Sequence, residues 1–283
     1  MSRPLEMYAG RCLAGHDIVS VMFASFFHKA AQAKFDLNDI QAVLFDLDGT
    51  LVDVDMHRFV PIYLRRLTEH MSDQVNPNRA AQTLHHAVAA MFANTDAGRT
   101  LESILLEVLE SELAIAPERY AECLDLFYRN DLETLRPLVK GHPLSSQLIQ
   151  ASLARGWKVV LATNPIFPRV VIDARVAWGD LDGDAFHHVT AYETAHFCKP
   201  SPSFFEEILD RLKIPAERCV MVGNDTLHDL SASQVGMRTC LLTPWSIKRP
   251  GADYKADWQG RHEELLALIA SADSVAARAS RLD

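Results

Sequence analysis

A short apolar run that ends in two aspartates and a glycine constrains this chain more than any other feature. Ala42-Val43-Leu44-Phe45 reads as a buried strand, and Asp46-Leu47-Asp48-Gly49-Thr50 follows it at once. The glycine gives a sharp exit at the sheet edge, so Asp46 and Asp48 project into the crevice beyond the strand's carboxyl end, where open α/β sheets bind ligands. One carboxylate there can attack phosphorus and form an aspartyl-phosphate, while a second protonates the leaving oxygen and later activates water. The first role falls to Asp46 and the second to Asp48. Asp48-Gly49 is also a common turn pair, so the rest of the chain must decide between chemistry and simple chain reversal.

From about Asn38 onward, apolar strand-like runs alternate with helical segments, the pattern of a parallel sheet covered on both faces. The expected strands are Ala42 to Phe45, Lys158 to Ala162, His188 to Ala191, Cys219 to Val222 and Thr239 to Leu242. Pro143 with Gly156, Pro202, and Gly236 mark ends of the helices between them. Residues 54–136 differ in character, with helical periodicity and almost no strand signal: Phe59, Val60, Tyr63, Leu64 and Leu67 form one apolar stripe, and Leu101, Ile104, Leu105 and Val108 another. Asn76-Pro77 reads as a cap with proline at the first helical position, and Pro117 opens a further helix. So long a block exceeds a crossover helix and is expected to be a small bundle, a cap over the crevice because it begins just after Asp48. The expected division is an amino-terminal, helical extension (1–37), a catalytic core (38–53 and 137–283) and the helical cap (54–136). A carboxyl-terminal helix is expected over 262–282, with Leu265, Leu266 and Leu268 on its apolar side.

Three later strand ends carry groups that could converge on Asp46. Thr163-Asn164-Pro165 offers a hydroxyl and backbone amides suited to an anionic phosphoryl group. Asn-Pro is also a frequent turn pair. Lys199, in Cys198-Lys199-Pro200, can neutralise charge on the nucleophile and on the transferring group. In Gly223-Asn224-Asp225 through Asp229 the two acids are four apart, so they share a face if a helix begins there. Magnesium takes hard oxygens, commonly one or two carboxylates plus waters and substrate phosphate. Asp46 and Asp225 supply the carboxylates in this reading and Asp48 a backbone carbonyl, with Asp229 orienting the ligands from behind. Helix capping alone would also place acids at that position.

Taken together, the four ordered motifs resemble those of the haloacid dehalogenase superfamily, over residues from about 40 to 245. The resemblance implies a Rossmann-like, doubly wound core, a helical cap inserted after the first motif, Mg2+ dependence and an aspartyl-phosphate intermediate. It carries Asp46 over as nucleophile, Asp48 as general acid/base, Thr163, Asn164 and Lys199 as phosphate-binding groups and Asp225 as a metal ligand. Many relatives have Asp directly after the glycine of the fourth motif, where this chain has Asn224, so either Asn224 or Asp225 aligns with the metal ligand; Asp225 matches by its spacing to Asp229. A dehalogenase does not need the acid at position 48, so the expected reaction is phosphatase chemistry on a small phosphorylated metabolite, similar in layout to phosphoglycolate phosphatases. A sugar-phosphate phosphomutase and a non-catalytic binding protein on the same fold are the alternatives.

Bulk properties narrow the partners. A formal net charge of -9 without any Lys/Arg-rich run disfavours nucleic acid. No segment reaches the roughly 18 to 20 apolar residues that span a bilayer. Ile18 to Phe27, preceded by Arg3 and Arg11, has the outline of a secretory signal, but Asp17 and Lys29 border it, which favours an amphipathic helix. Five scattered cysteines without a Cys-x-x-Cys pair argue against a disulfide framework or zinc site and for a reducing cytoplasm. A monomer or homodimer is expected. On the cap, His57, Arg58, Arg65 and Arg66 are candidates to meet a second anionic group, the last two reading more simply as a solvated face. The pairs His85-His86 and His187-His188 are adjacent rather than helically spaced and make poor metal sites.

Overall fold

The computed structural model describes residues 35–272. The expected amino-terminal helix, Cys12 and the end of the expected carboxyl-terminal helix lie outside the described residues. From Leu37 onward the described residues belong to one compact unit. The chain runs β1 (Ala42–Phe45), β2 (Val52–Val54), α1 (Met56–Glu69), α2 (Pro77–Ala93), α3 (Leu101–Leu113), α4 (Pro117–Asn130), β3 (Val139–Gly141) and α5 (Ser145–Ala154). It continues through β4 (Lys158–Leu161), α6 (Arg169–Trp178), β5 (His188–Val189), α7 (Pro202–Leu212), β6 (Cys219–Gly223), β7 (Arg238–Leu242), β8 (Trp258–Gly260) and α8 (His262–Ser271). Among the described residues no helix is long and apolar enough to cross a membrane.

Six strands form a sheet in the order β5-β4-β1-β6-β7-β8, and every neighbouring pair is parallel. The chain starts in the middle with β1, builds outward through β4 to β5, then returns to lay β6 on the other side of β1. That reversal makes the carboxyl end of β1 the switch point where such sheets hold ligands. Phe45 is paired with Leu161 on one side and Val222 on the other, so the loops after β1, β4 and β6 leave the sheet at one level. Ala42, Leu44, Val160 and Met221 are buried against Phe204, Phe205 and Ile208 of α7. The alternate residues Val43, Phe45, Val159 and Val220 are equally buried, as strands covered on both faces require. The architecture is the expected α/β fold with a Rossmann-like, doubly wound parallel sheet.

Several short elements depart from expectation. The strand expected to reach Ala191 stops at Val189, because the Thr190 hydroxyl turns to the carbonyls of Leu161 and Thr163. β8 is only three residues long and ends in glycine, too short to show a period. The segment after β6 is a turn followed by a 3-10 segment, Leu230–Val235, rather than an α-helix that begins at Asp225.

Helices α1 to α4 occupy the stretch read as an insertion. Asp55 caps α1 by accepting from the His57 amide, Asn76 caps α2 ahead of Pro77, and Thr100 caps α3, each satisfying amides that a helix start leaves free. An antiparallel ribbon of β2 and β3 brackets the four helices, pairing Val52 with Gly141 and Val54 with Val139. Three-residue strands so far apart in sequence leave no local signal. The buried stripe of α1 meets Phe167 from the loop after β4, with Tyr63 and Phe167 ring centroids 5.2 Å apart. At the start of α3, the amides of Leu101 and Glu102 donate to the carbonyls of Ala195 and Tyr192, each at 2.9 Å.

Candidate active site

Asp46 stands at the first position beyond β1 and is buried. Its Oδ1 accepts from Lys199 Nζ at 2.8 Å and its Oδ2 from the Thr50 hydroxyl at 3.1 Å. Gly49 makes this turn possible: its φ is +79°, and a Cβ there would lie 2.1 Å from Asn224 Nδ2. Lys199 also donates to Asp229 Oδ1 at 2.7 Å. Burial pushes the Asp46 carboxyl up to about 7, a rise that Lys199 only partly reverses and that Asp229 and Asp48 reinforce. Burial would lower the Lys199 ammonium, but Asp229 and Asp46 more than offset it and hold it above its ordinary value.

The loop after β6 is folded around Asp229. Its Oδ2 accepts from the amides of Asn224 at 2.9 Å and Asp225 at 2.8 Å, which closes a turn where the sequence suggested a helix face. Gly223 is required here, since a Cβ would lie 2.1 Å from Asp229 Oδ2. Asn224 donates its side-chain amide to the Trp245 carbonyl at 2.8 Å. Asp225 Oδ1 accepts from the amides of Leu227 and His228, and its Oδ2 from Arg249 Nε at 2.7 Å. Burial would raise the Asp225 carboxyl, but these donors hold it below the usual carboxylate range.

Asn164 lies in the crevice beside Thr163, and its side chain has a further structural contact. Its Oδ1 accepts from the Lys199 amide at 2.8 Å, tying the loop after β4 to the loop that carries the lysine. Thr163 is buried, with its carbonyl accepting from Thr190 at 2.6 Å. Asp46, Asp48, Thr163, Asn164, Lys199, Asp225 and Asp229 all line one cavity of about 740 Å3. The far wall holds His57 and Phe92 from the insertion, and Trp245, Ile247 and Arg249 from the loop between β7 and β8. Arg58, Arg65 and Arg66 do not line it; Arg66 pairs with Glu69 and Asp131.

Two basic residues were missed by sequence reasoning. Arg175, on α6, is wholly buried and pairs through Nη1 with Asp48 Oδ2. A charged residue between Ile172 and Val176, on the buried side of that helix, is the signal that could have found it. Arg249 follows the proline-marked turn after β7, and nothing local in the sequence marks it as a partner of Asp225.

Among the described residues, no group of three His, Cys, Asp or Glu side chains is placed to hold a metal ion. A magnesium site of the kind expected needs only two carboxylates and a main-chain oxygen from the protein. The charge balance suits one: Asp46 and Asp229 are two buried carboxylates against the single ammonium of Lys199. That uncompensated charge sits in the same cavity as Asp225, so the donor set fits a hard divalent cation.

A family model described as haloacid dehalogenase-like hydrolase matches residues 40–235. The pyrophosphatase PpaX of Anoxybacillus flavithermus is 25% identical over 222 residues, 78% of this chain and 90% of that protein. The Listeria welshimeri PpaX is 24% identical over 234 residues, 81% of this chain and 96% of that protein. Among solved structures, a HAD phosphatase from Thermococcus onnurineus superposes with a TM-score of 0.52 at 18% identity, covering 83% of this chain and 100% of that one. A dehalogenase with an intermediate complex superposes with a TM-score of 0.51 at 16% identity, covering 83% and 99%. The shared fold therefore accommodates both phosphatases and dehalogenases, and only the site can discriminate between them.

Proposed function

This chain belongs to the haloacid dehalogenase-like hydrolases, and from that premise we propose that it is a magnesium-dependent phosphatase that cleaves a small phosphorylated metabolite through an aspartyl-phosphate on Asp46. The observation that carries this reading is Asp48, a second carboxylate in the cavity that holds Asp46. A phosphate ester needs its leaving oxygen protonated, whereas a halide departs without a proton, so an acid at this position favours phosphoryl transfer. The similarity to pyrophosphatases points the same way and puts a diphosphate among the substrates to try.

In this reading Asp46 attacks phosphorus while Lys199 and Thr50 fix its two oxygens. Asp48 gives a proton to the departing oxygen as the P–O bond breaks, then takes one from the water that attacks the aspartyl-phosphate. Lys199 offsets negative charge at the nucleophile and, with Thr163, faces the transferred group. Asp46, Asp225 and the Asp48 main-chain carbonyl would hold Mg2+, with Asp229 fixing the turn that presents Asp225. When bound, that ion supplies a Lewis acid for the phosphoryl oxygens. The helices α1 to α4 act as a cap that excludes water. Free, buried Cys123, Cys198, Cys219 and Cys240 suit a reducing, cytoplasmic setting.

The test is phosphate release from a panel of sugar phosphates, short phosphorylated acids, nucleotides and inorganic pyrophosphate, with Asp46→Asn protein as background. Release that requires Mg2+ and disappears in Asp46→Asn is expected. Release undiminished in Asp46→Asn, or halide release from a 2-haloacid in place of phosphate, overturns the reading. Transfer of the phosphoryl group within a sugar, without free phosphate, would make the enzyme a mutase.

A further inference from the structure

We propose that Arg175 is a positioning residue for this reaction: it holds the Asp48 carboxyl in the orientation from which that carboxyl moves the proton. The proposal rests on the reading of Asp48 as proton donor and acceptor, and it adds a residue that none of the four motifs contains.

A wholly buried guanidinium is expensive unless it is paired and hydrogen-bonded. Arg175 is 0% exposed, and among the described residues its one carboxylate partner is Asp48, through Nη1 and Oδ2. Its Nε donates to the Val171 carbonyl at 3.4 Å, its Nη2 is buried without a hydrogen-bond partner among the described residues, and two aromatic faces lie against it. The guanidinium carbon lies 4.6 Å from the Phe167 ring centroid and 5.6 Å from that of Phe59, a stacked seat that suits a planar cation and not a lysine ammonium. Replacing a buried ion pair with apolar side chains is often neutral or stabilising. Stability alone therefore gives no reason to keep a charge among Phe59, Phe167, Val171 and Ile172.

The geometry at Asp48 supplies a reason. Oδ2 is taken by the guanidinium, while Oδ1 is buried with no hydrogen-bond partner, and Asp48 lines the reaction cavity. An unpaired buried carboxylate oxygen is costly, so the contact with the guanidinium is what fixes the carboxyl at the cavity wall. In the first half-reaction the proton on the Asp48 carboxyl passes to the ester oxygen as its bond to phosphorus breaks and the Asp46–phosphorus bond forms. In the second, the Asp48 carboxylate takes a proton from the attacking water as the water oxygen bonds to phosphorus and the Asp46–phosphorus bond breaks. Arg175 remains charged throughout and touches neither phosphorus nor the leaving group. Its contribution is to hold the carboxyl in one orientation, and misplacing a reacting group by about 1 Å can cost roughly 100-fold in rate.

The test compares two leaving groups in one protein sample. 4-Nitrophenolate departs without a proton, whereas the alkoxide of an alkyl phosphate must be protonated. The readout is the ratio of kcat on the best alkyl phosphate of the panel to kcat on 4-nitrophenyl phosphate. In Arg175→Met this ratio is expected to fall about 30-fold or more, short of the full 100- to 10,000-fold contribution of acid–base catalysis because Asp48 itself remains, with KM little changed. Arg175→Lys keeps the charge without the planar guanidinium and should fall between wild type and Arg175→Met. Because the ratio is internal, partial unfolding cancels from it; if Arg175→Met does not fold, the ratio in Arg175→Lys decides. A ratio equal to that of the wild type, with both substrates slowed alike or neither slowed, reduces Arg175 to a structural residue and overturns the proposal. Absence of phosphate release by the wild type from either substrate would instead refute the phosphatase reading itself.

Discussion

The site contains two buried cations that solve opposite problems. Lys199 bridges Asp46 and Asp229, so its surroundings hold two carboxylates for one ammonium and are built entirely from loops at the sheet's carboxyl edge. Arg175 faces one carboxylate and two aromatic rings, so its surroundings are neutral overall, and one ring, Phe59, belongs to the helical insertion. A compact ammonium can point at two acids at once, whereas a planar guanidinium stacks on rings while it grips a single carboxylate. The difference shows where charge is left over: an excess negative charge stays at Asp46, the proposed nucleophile and metal ligand, and none remains at Asp48, the proposed proton carrier. A third pair, Arg249 with Asp225, lies nearer the surface, the arginine side chain being 41% exposed.

The most severe way to break this contrast is to remove the excess charge. Asp46→Asn is expected to lower turnover by about 10,000-fold or more, since it removes the nucleophile. It should also raise the melting temperature of metal-free protein above pH 7. Burial raises the Asp46 carboxyl to about 7 in the folded protein, against about 4 in an unfolded chain. The folded state therefore binds this proton more tightly, and the stability this confers is complete below about pH 4 and lost as pH rises through about 7. Asn cannot ionise, so the variant escapes that loss. Melting curves of both proteins at pH 5 and pH 8 in EDTA check the sign; a variant that gains nothing at pH 8 would mean that Lys199 already balances Asp46.

A smaller effect on turnover is expected from Lys199→Met. It leaves Asp46 and Asp229 buried without their common partner, and breaking such a cluster destabilises by about 3 to 5 kcal/mol. Turnover should fall about 100- to 1,000-fold, as when one preorganised charge-stabilising group is lost. Saturating Mg2+ should recover more melting temperature in this variant than in the wild type, because the ion replaces a missing positive charge. Equal stabilisation of both proteins would show that the metal does not sense the Lys199 cluster.

The two regions also differ in how far the sequence announced them. The Asp46, Lys199 and Asp229 cluster was legible because each member follows a short apolar strand, and parallel strands whose ends are level bring such positions together. Arg175 sits in mid-helix, and only the final packing shows that its buried side faces Asp48 rather than solvent. The β2–β3 ribbon and β8 were illegible for a plainer reason: three residues cannot display a period of two. Asn164 was read as a site residue and lines the cavity; that its side chain also holds the Lys199 amide depends on a long-range contact that spacing cannot encode.

The Arg249–Asp225 pair sharpens the comparison most gently. Exposed ion pairs contribute about 0.2 to 1 kcal/mol, so Arg249 can compete with a metal for Asp225 only weakly. His228 also faces this carboxylate, with Nδ1 3.7 Å from Asp225 Oδ2, but burial keeps its imidazole below the ordinary value despite Asp225, so it is neutral at pH 7 and adds no rival charge. The amides of Leu227 and His228 fix the Asp225 carboxylate whether or not Arg249 is present. Arg249→Gln should therefore tighten Mg2+ binding in a calorimetric titration by no more than about 5-fold, the equivalent of 1 kcal/mol, and leave the melting temperature nearly unchanged. Weaker binding in Arg249→Gln would mean that the arginine orients Asp225 instead of competing for it, and the third pair would then resemble the Arg175 pair rather than stand apart from it.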